Sequence, residues 1–213
     1  MKTDDLIAIL STNVEAVDRR QMTHTIRNAL LIAGAAVVIA VLVALGVRDD
    51  TTTTATAGAL ALKLGATLIV LALACRYLFK LARPGGEREV SLAWLVIPFV
   101  GIIALAGLSL GSASHTHWHH VLLGDQWLEC IVSIPVIAIT PFAVLVFAVR
   151  QMAPTDLRRT GAIVGLVAGS LSAAGYALHC VDDSVSFVAL WYGGTIALCT
   201  LVGWALGPKL LRW

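Results

Sequence analysis

Residues 131–149 read IVSIPVIAITPFAVLVFAV, nineteen positions without one charged side chain. A helix needs about 20 predominantly apolar residues to cross the roughly 30 Å hydrocarbon core of a bilayer. Working outward, five more stretches have the same character: 29–47, 58–81, 92–110, 161–178 and 187–206. The spacing predicts an all-α integral membrane bundle of six transmembrane helices. Segment 1–28 precedes it, the bundle fills 29–206, and a short tail of 207–213 follows. The composition agrees: 58% of the 213 residues are hydrophobic and 13% are charged, against about 25% charged in ordinary soluble domains.

Lys and Arg in the loops set the orientation. Thirteen of the fifteen basic residues fall in the N-terminal segment, the second-to-third loop, the fourth-to-fifth loop and the C-terminal tail. Only Arg48 and Lys63 fall opposite. Both termini are therefore expected in the cytoplasm, in a bacterial inner membrane. A signal peptide ending near Ala55-Thr56-Ala57 is the competing reading. The polar lead and the apolar run are both too long for one, so the first span is expected to be retained.

Within the spans, Gly161, Gly165 and Gly169 recur every fourth residue, as do Gly203 and Gly207. Such spacing lets helices approach closely in lipid, and packing within one bundle is preferred to homodimerisation. Pro98, Pro135 and Pro141 should bend the third and fourth spans. The span centres are read as free of acid, base and histidine, with Lys63 and Arg76 near span ends and snorkelling outward. That reading argues against an ion-coupled transporter. No nucleophile–base pair, phosphate loop or H-E-x-x-H run supports an enzyme, and a net charge of +2 argues against direct nucleic-acid binding.

Chemistry gathers on the periplasmic side. His115, His117, His119 and His120 lie between the third and fourth spans, and His179 ends the fifth. Cys130 opens the fourth span and Cys180 follows His179. Thiolate and imidazole suit copper, zinc or cadmium, and two nearby thiols in an oxidising compartment can instead form a disulfide. The plainer reading of the histidine run is a solvated interfacial loop, with Trp118 and Trp127 in an aromatic belt. Cys75 and Cys199 are read as small apolar packing residues.

At the other face, Thr3 can cap a helix with Asp4 and Asp5 in its first turn. Leu6, Leu10, Val14 and Val17 then share one helical face, and Ile7 widens the stripe. So short a helix needs a surface to cover it: lipid, this chain's own loops or a partner's groove.

Residues 1–7, Met1 to Ile7, resemble the start of NrsF-type anti-sigma factors. So do Gly124-Asp125-Gln126-Trp127-Leu128-Glu129-Cys130 and Ser133-Ile134-Pro135. The closing match is stronger: Leu178-His179-Cys180, Asp183-Ser184, Phe187-Val188-Ala189, Trp191-Tyr192 and Leu210-Leu211-Arg212-Trp213. The resemblance implies a membrane anti-sigma factor holding an extracytoplasmic-function (ECF) sigma factor of the sigma-F type. Heavy metal or oxidative stress outside would relieve the inhibition. The family's two sensing cysteines map onto Cys130 and Cys180; the run from His115 to His120 is no part of the motif. No cofactor is obligatory on this reading, and copper, cadmium or zinc would act as signal. The sigma-binding residues would be Asp4, Asp5, Leu6, Ile7, Leu10, Val14 and Val17. The metal ligands would be Cys130, Cys180 and His179 with the four loop histidines. A copper-type metal carrier using the same His and Cys face is the rival, and a scaffold with a permanent disulfide is the plainest alternative.

Overall fold

The computed structural model describes residues 19–48, 54–83, 93–112 and 122–212, with the single positions Thr3 and Ser11. Six long helices account for nearly all of it. They are α1 (Arg19–Ala44), α2 (Thr54–Leu81), α3 (Ala93–Ser112), α4 (Trp127–Arg150), α5 (Leu157–Tyr176) and α6 (Val185–Leu210). The described residues include no strand. Every helix except α5 is long and apolar enough to cross a membrane. Their large apolar side chains point outward, among them Val43, Leu108 and Phe147, each more than two-thirds exposed. A soluble surface does not tolerate so much contiguous apolar area; a bilayer requires it.

The exception, α5, explains the architecture. It is the central element, packed against α1, α2, α4 and α6, while α3 lies outside against α2 and the start of α6. Fifteen of its 20 residues are buried. A helix enclosed on nearly every side needs no lipid-facing stripe, so it can carry Gly, Ser and Thr where its neighbours carry Leu and Ile. Ser170 satisfies its hydroxyl on the carbonyl of Leu166, at 2.7 Å, one turn back.

The glycine ladder is the seam between α5 and α6. A Cβ at Gly161 would fall on the carbonyl oxygen of Gly203, one at Gly165 on that of Cys199, and one at Gly207 on that of Leu157. The two backbones are therefore in direct contact, and the small residues serve packing inside one bundle, as the spacing predicts. Cys199 sits in the same seam, in the packing role expected of it. Pro98, Pro135 and Pro141 lie inside helices that run on past them.

Several helices extend beyond the apolar runs. Helix α1 starts at Arg19, ten residues before the first apolar stretch, and α6 continues through Pro208 to Leu210. Hydrophobicity marks the membrane-length part of a helix, and polar end turns can be equally helical.

Gly165→Ala should cost about 1–3 kcal/mol through forced separation of α5 and α6. Gly101→Ala, where a Cβ meets nothing within 4 Å, should be neutral or slightly stabilising. Reversible denaturant titration in mixed micelles distinguishes the two.

Candidate functional site

The site lies at one end of the bundle, where five elements converge. Helix α1 closes at Gly46, whose φ of +80° supplies the left-handed turn that a helix C-terminus favours. The chain then runs straight, and the Arg48 amide donates to the carbonyl of Leu178 at 3.1 Å. Helix α5 unwinds at the same level, with the amides of His179 and Cys180 still bonded to the carbonyl of Tyr176. Segment 177–184 then crosses the end of the bundle to Ser184, whose hydroxyl caps α6 by accepting from the Phe187 amide at 3.1 Å. The next five residues, Val188–Tyr192, form a π-helical turn. Such turns are rare and often mark functional sites; this one ends on the buried Tyr192.

Three charges meet there. Arg48 grips both carboxylate oxygens of Asp183, at 3.0 and 2.8 Å. Lys63 reaches the same carboxylate at 2.9 Å. Arg48 and Lys63 also donate to the carbonyl of Cys180, at 3.1 and 3.2 Å. The Lys63 ammonium stands 5.4 Å from the centre of the Tyr192 ring, within cation–π range. The Lys63 side chain is wholly buried and that of Arg48 nearly so. This corrects the sequence reading: Lys63 does not snorkel. It sits nine residues inside α2, about 14 Å from the helix start, and the span interior does contain a cation. Its partners lie inside the bundle, so turning inward satisfies it better than reaching for solvent. Arg76 is exposed, as expected.

Burial alone would raise the Asp183 carboxyl, but hydrogen bonds and charge from Arg48 and Lys63 outweigh it and hold the group below its ordinary value. At Cys180, burial pushes the thiol up, and the nearby Lys63 only partly offsets it. The resting Cys180 is therefore a neutral thiol.

Cys130 and Cys180 are both fully buried in the core, one in the first turn of α4 and the other just past the end of α5. Both are free. Gln126 and Asp182 tie their two segments together. The Asp182 carboxylate accepts from the amides of Asp125 and Gln126, at 3.1 and 2.8 Å, at the start of α4. The Gln126 side chain accepts from the Val181 amide at 3.2 Å. Gly124, at φ +57°, leaves room for this clasp: a Cβ there would meet the Asp182 carboxylate at 2.7 Å. Trp127 packs on Trp191, ring centres 5.4 Å apart. The Trp191 indole donates to the carbonyl of Leu122 at 2.8 Å.

The hydroxyls of Tyr176 and Tyr192 are buried with no hydrogen-bond partner among the described residues. The Tyr192 hydroxyl approaches the Cys180 sulfur without reaching bonding geometry. An orphaned buried hydroxyl costs about 1–3 kcal/mol, so the thiol pair lies in polar surroundings that are not fully satisfied.

Of the seven expected metal ligands, the structure places three. Cys130 and Cys180 come together. His179 is turned toward α1, its Nδ1 3.2 Å from the carbonyl of Gly46, with its ring against Tyr176. Among the described residues, no three His, Cys, Asp or Glu side chains form a metal-binding group. His115, His117, His119 and His120 lie outside the described residues, as do Asp4, Asp5, Leu6, Ile7, Leu10, Val14 and Val17. Sequence reasoning missed the roles of Arg48, Lys63, Asp183, Tyr176 and Tyr192. For Lys63 the signal was present: a cation in an apolar span is by default functional and should be assigned a partner.

The chain matches the family described as "Negative regulator of sigma F", NrsF, over residues 10–213. This protein belongs to the NrsF family. It is 29% identical over 213 residues to a "Probable anti-sigma-F factor NrsF" of Azospira oryzae, covering the whole of both chains. It is 32% identical over 220 residues to an "Anti-sigma-F factor NrsF" of Caulobacter vibrioides, again over both full lengths. No solved structure matches it. Membership in this regulatory, non-enzymatic family agrees with the lack of catalytic motifs in the sequence.

Asp183→Asn would leave two buried cations without their carboxylate, at a cost of about 3–5 kcal/mol. The folded-state pKa of Asp183 is depressed, so its contribution to stability is fully present above the unfolded carboxyl value near 3.9. It is lost as pH falls through the lower, folded value. Stability of the wild type in micelles should fall below about pH 4, and Asp183→Asn should lack that component.

Proposed function

We propose that this NrsF-family chain is a six-span inner-membrane anti-sigma factor with both termini in the cytoplasm. It holds an ECF sigma factor through its N-terminal amphipathic segment and releases it when Cys130 and Cys180 react on the periplasmic side. Family membership and the names of the two relatives support the class. The placement of thirteen basic residues on one side supports the orientation. Helix α5, about 30 Å long at 1.5 Å per residue, supports a sixth span that crosses shielded by its neighbours.

The observation that carries the mechanism is the double grip on the Cys180 carbonyl. Arg48 lies four residues past the end of α1, and the sigma-binding segment precedes α1 in the chain. A change at Cys180 therefore bears on a helix about 39 Å long that leads to the docking element. In the resting state, neutral thiols leave the Arg48–Asp183–Lys63 grip intact. A soft metal ion displaces the thiol protons and draws the two sulfurs together. Alternatively, an oxidant takes two electrons as two protons leave, and a disulfide forms. Either event reshapes segment 177–184 and shifts α1 relative to α4. Converting a 1:99 equilibrium to 99:1 takes about 5.5 kcal/mol of differential affinity, within reach of a thiolate site.

Cys130→Ser combined with Cys180→Ser should insert normally yet hold sigma through metal or oxidant challenge. Normal induction of a sigma-dependent reporter in that strain would sink the sensor assignment. Leu6→Asp with Leu10→Asp should release sigma without stress, read by co-purification from membranes; unchanged retention would show that docking lies elsewhere.

The buried Lys63–Asp183 pair removes one argument against the copper-type carrier, because the bundle interior does hold charges. Metal flux in proteoliposomes lacking sigma would favour that rival.

A further inference from the structure

A groove of about 610 Å³ runs between α4 and α6, far from the thiol pair along most of its length. Ala138, Phe142 and Val146 form one wall, Val202 and Leu206 the other, and Ala168 of α5 the floor. It exists because α5 is packed hard against α6 through the glycine seam, while α4 touches α6 only lightly. The groove runs from Pro135 to Arg150, about 22 Å along the axis of α4. Its lining is apolar apart from the Cys199 thiol and, at one end, Arg150, its only charged member. Arg150 is exposed, in the last turn of α4, and has no ion-pair partner among the described residues.

We infer that this groove binds one acyl chain of an anionic phospholipid whose phosphate pairs with Arg150. The volume lies within the range of small-ligand sites. The length suits an acyl chain reaching toward the bilayer centre, and the charge lies where a headgroup would. Arg150 belongs to the basic side of the chain, so the lipid comes from the cytoplasmic leaflet, whose anionic lipids attract basic residues at the interface. A zwitterionic lipid fills the groove equally well but gains less from a lone cation. A second copy of the chain would need an acidic group to meet Arg150 inside an apolar face. Helix α4 carries one acid, Glu129, in its first turn at the end opposite Arg150, and from Cys130 to Leu210 the acids are Asp156, Asp182 and Asp183. All three lie in connecting segments, and two are already engaged at the opposite end.

The test uses the full chain reconstituted in vesicles of equal phosphatidylglycerol and phosphatidylcholine. The protein is gently solubilised, and retained lipid is counted by native mass spectrometry. Wild-type protein should retain one phosphatidylglycerol in preference to phosphatidylcholine by roughly fivefold, the worth of one basic residue at an anionic surface. Arg150→Gln, at an exposed position, should bring the ratio close to one. Ala143→Trp, which fills the groove mouth, should lose the bound lipid. Equal retention of the two lipids by wild type would overturn the inference. So would an unchanged ratio in Arg150→Gln, or a Cys199–Cys199 cross-link between two copies in place of lipid.

Discussion

The shared carboxylate of Asp183 is the constraint on which the site depends. Two cations from different parts of the chain, Arg48 after α1 and Lys63 within α2, are buried only because this one anion lies between them. Taking a charge out of water costs several kcal/mol unless it is paired and hydrogen-bonded. The cations could each have found a partner separately. Instead they share Asp183 and then share the carbonyl of Cys180. That arrangement ties the end of α1 and the interior of α2 to the backbone of a cysteine. Arg and Lys together carry more N–H donors than one carboxylate can accept, and the Cys180 carbonyl takes one from each.

The all-helical fold was legible because the bilayer imposes a length on apolar runs, and five of the six stretches read from sequence are long apolar helices in the structure. The fifth stretch was legible for a different reason. Its glycines at 161, 165 and 169 gave away a helix that packs rather than faces lipid, and the structure puts their partners on α6. The nearness of Cys130 and Cys180 was half legible. Span counting placed them at one end, but their burial in one cluster depends on Asp182 and Gln126, which lie 56 residues apart in the chain. No local pattern announces a pairing at that separation.

Lys63 shows where pattern reading fails. A lysine among apolar residues fits two rules: a long side chain can snorkel, or an intramembrane charge can find a partner. Distance from the span end does not decide between them. A buried acceptor does, and Asp183 is 120 positions further along the chain. The acceptor comes from segment 177–184, which meets α2 at Lys63.

The bundle also divides into a tightly seamed part and a more open one. Along α5 and α6 the backbones touch at successive glycines, so any slide drives a carbonyl oxygen into the facing chain. The α4 side is different: it meets α6 lightly, leaves a groove there, and lacks two of the backbone donors that would stiffen it, at Pro135 and Pro141. Cys130 belongs to α4, which is held against α5 and α1 rather than α6, while Cys180 continues from the rigid pair. A bond between the two sulfurs, direct or through a metal, therefore cannot be accommodated by shearing α5 against α6. In the mechanism proposed above, the adjustment falls on segment 177–184 and on what that segment holds, which is Arg48 and through it α1. On that proposal, the rigid seam directs the reaction at the thiols toward α1, the helix nearest the N-terminal segment.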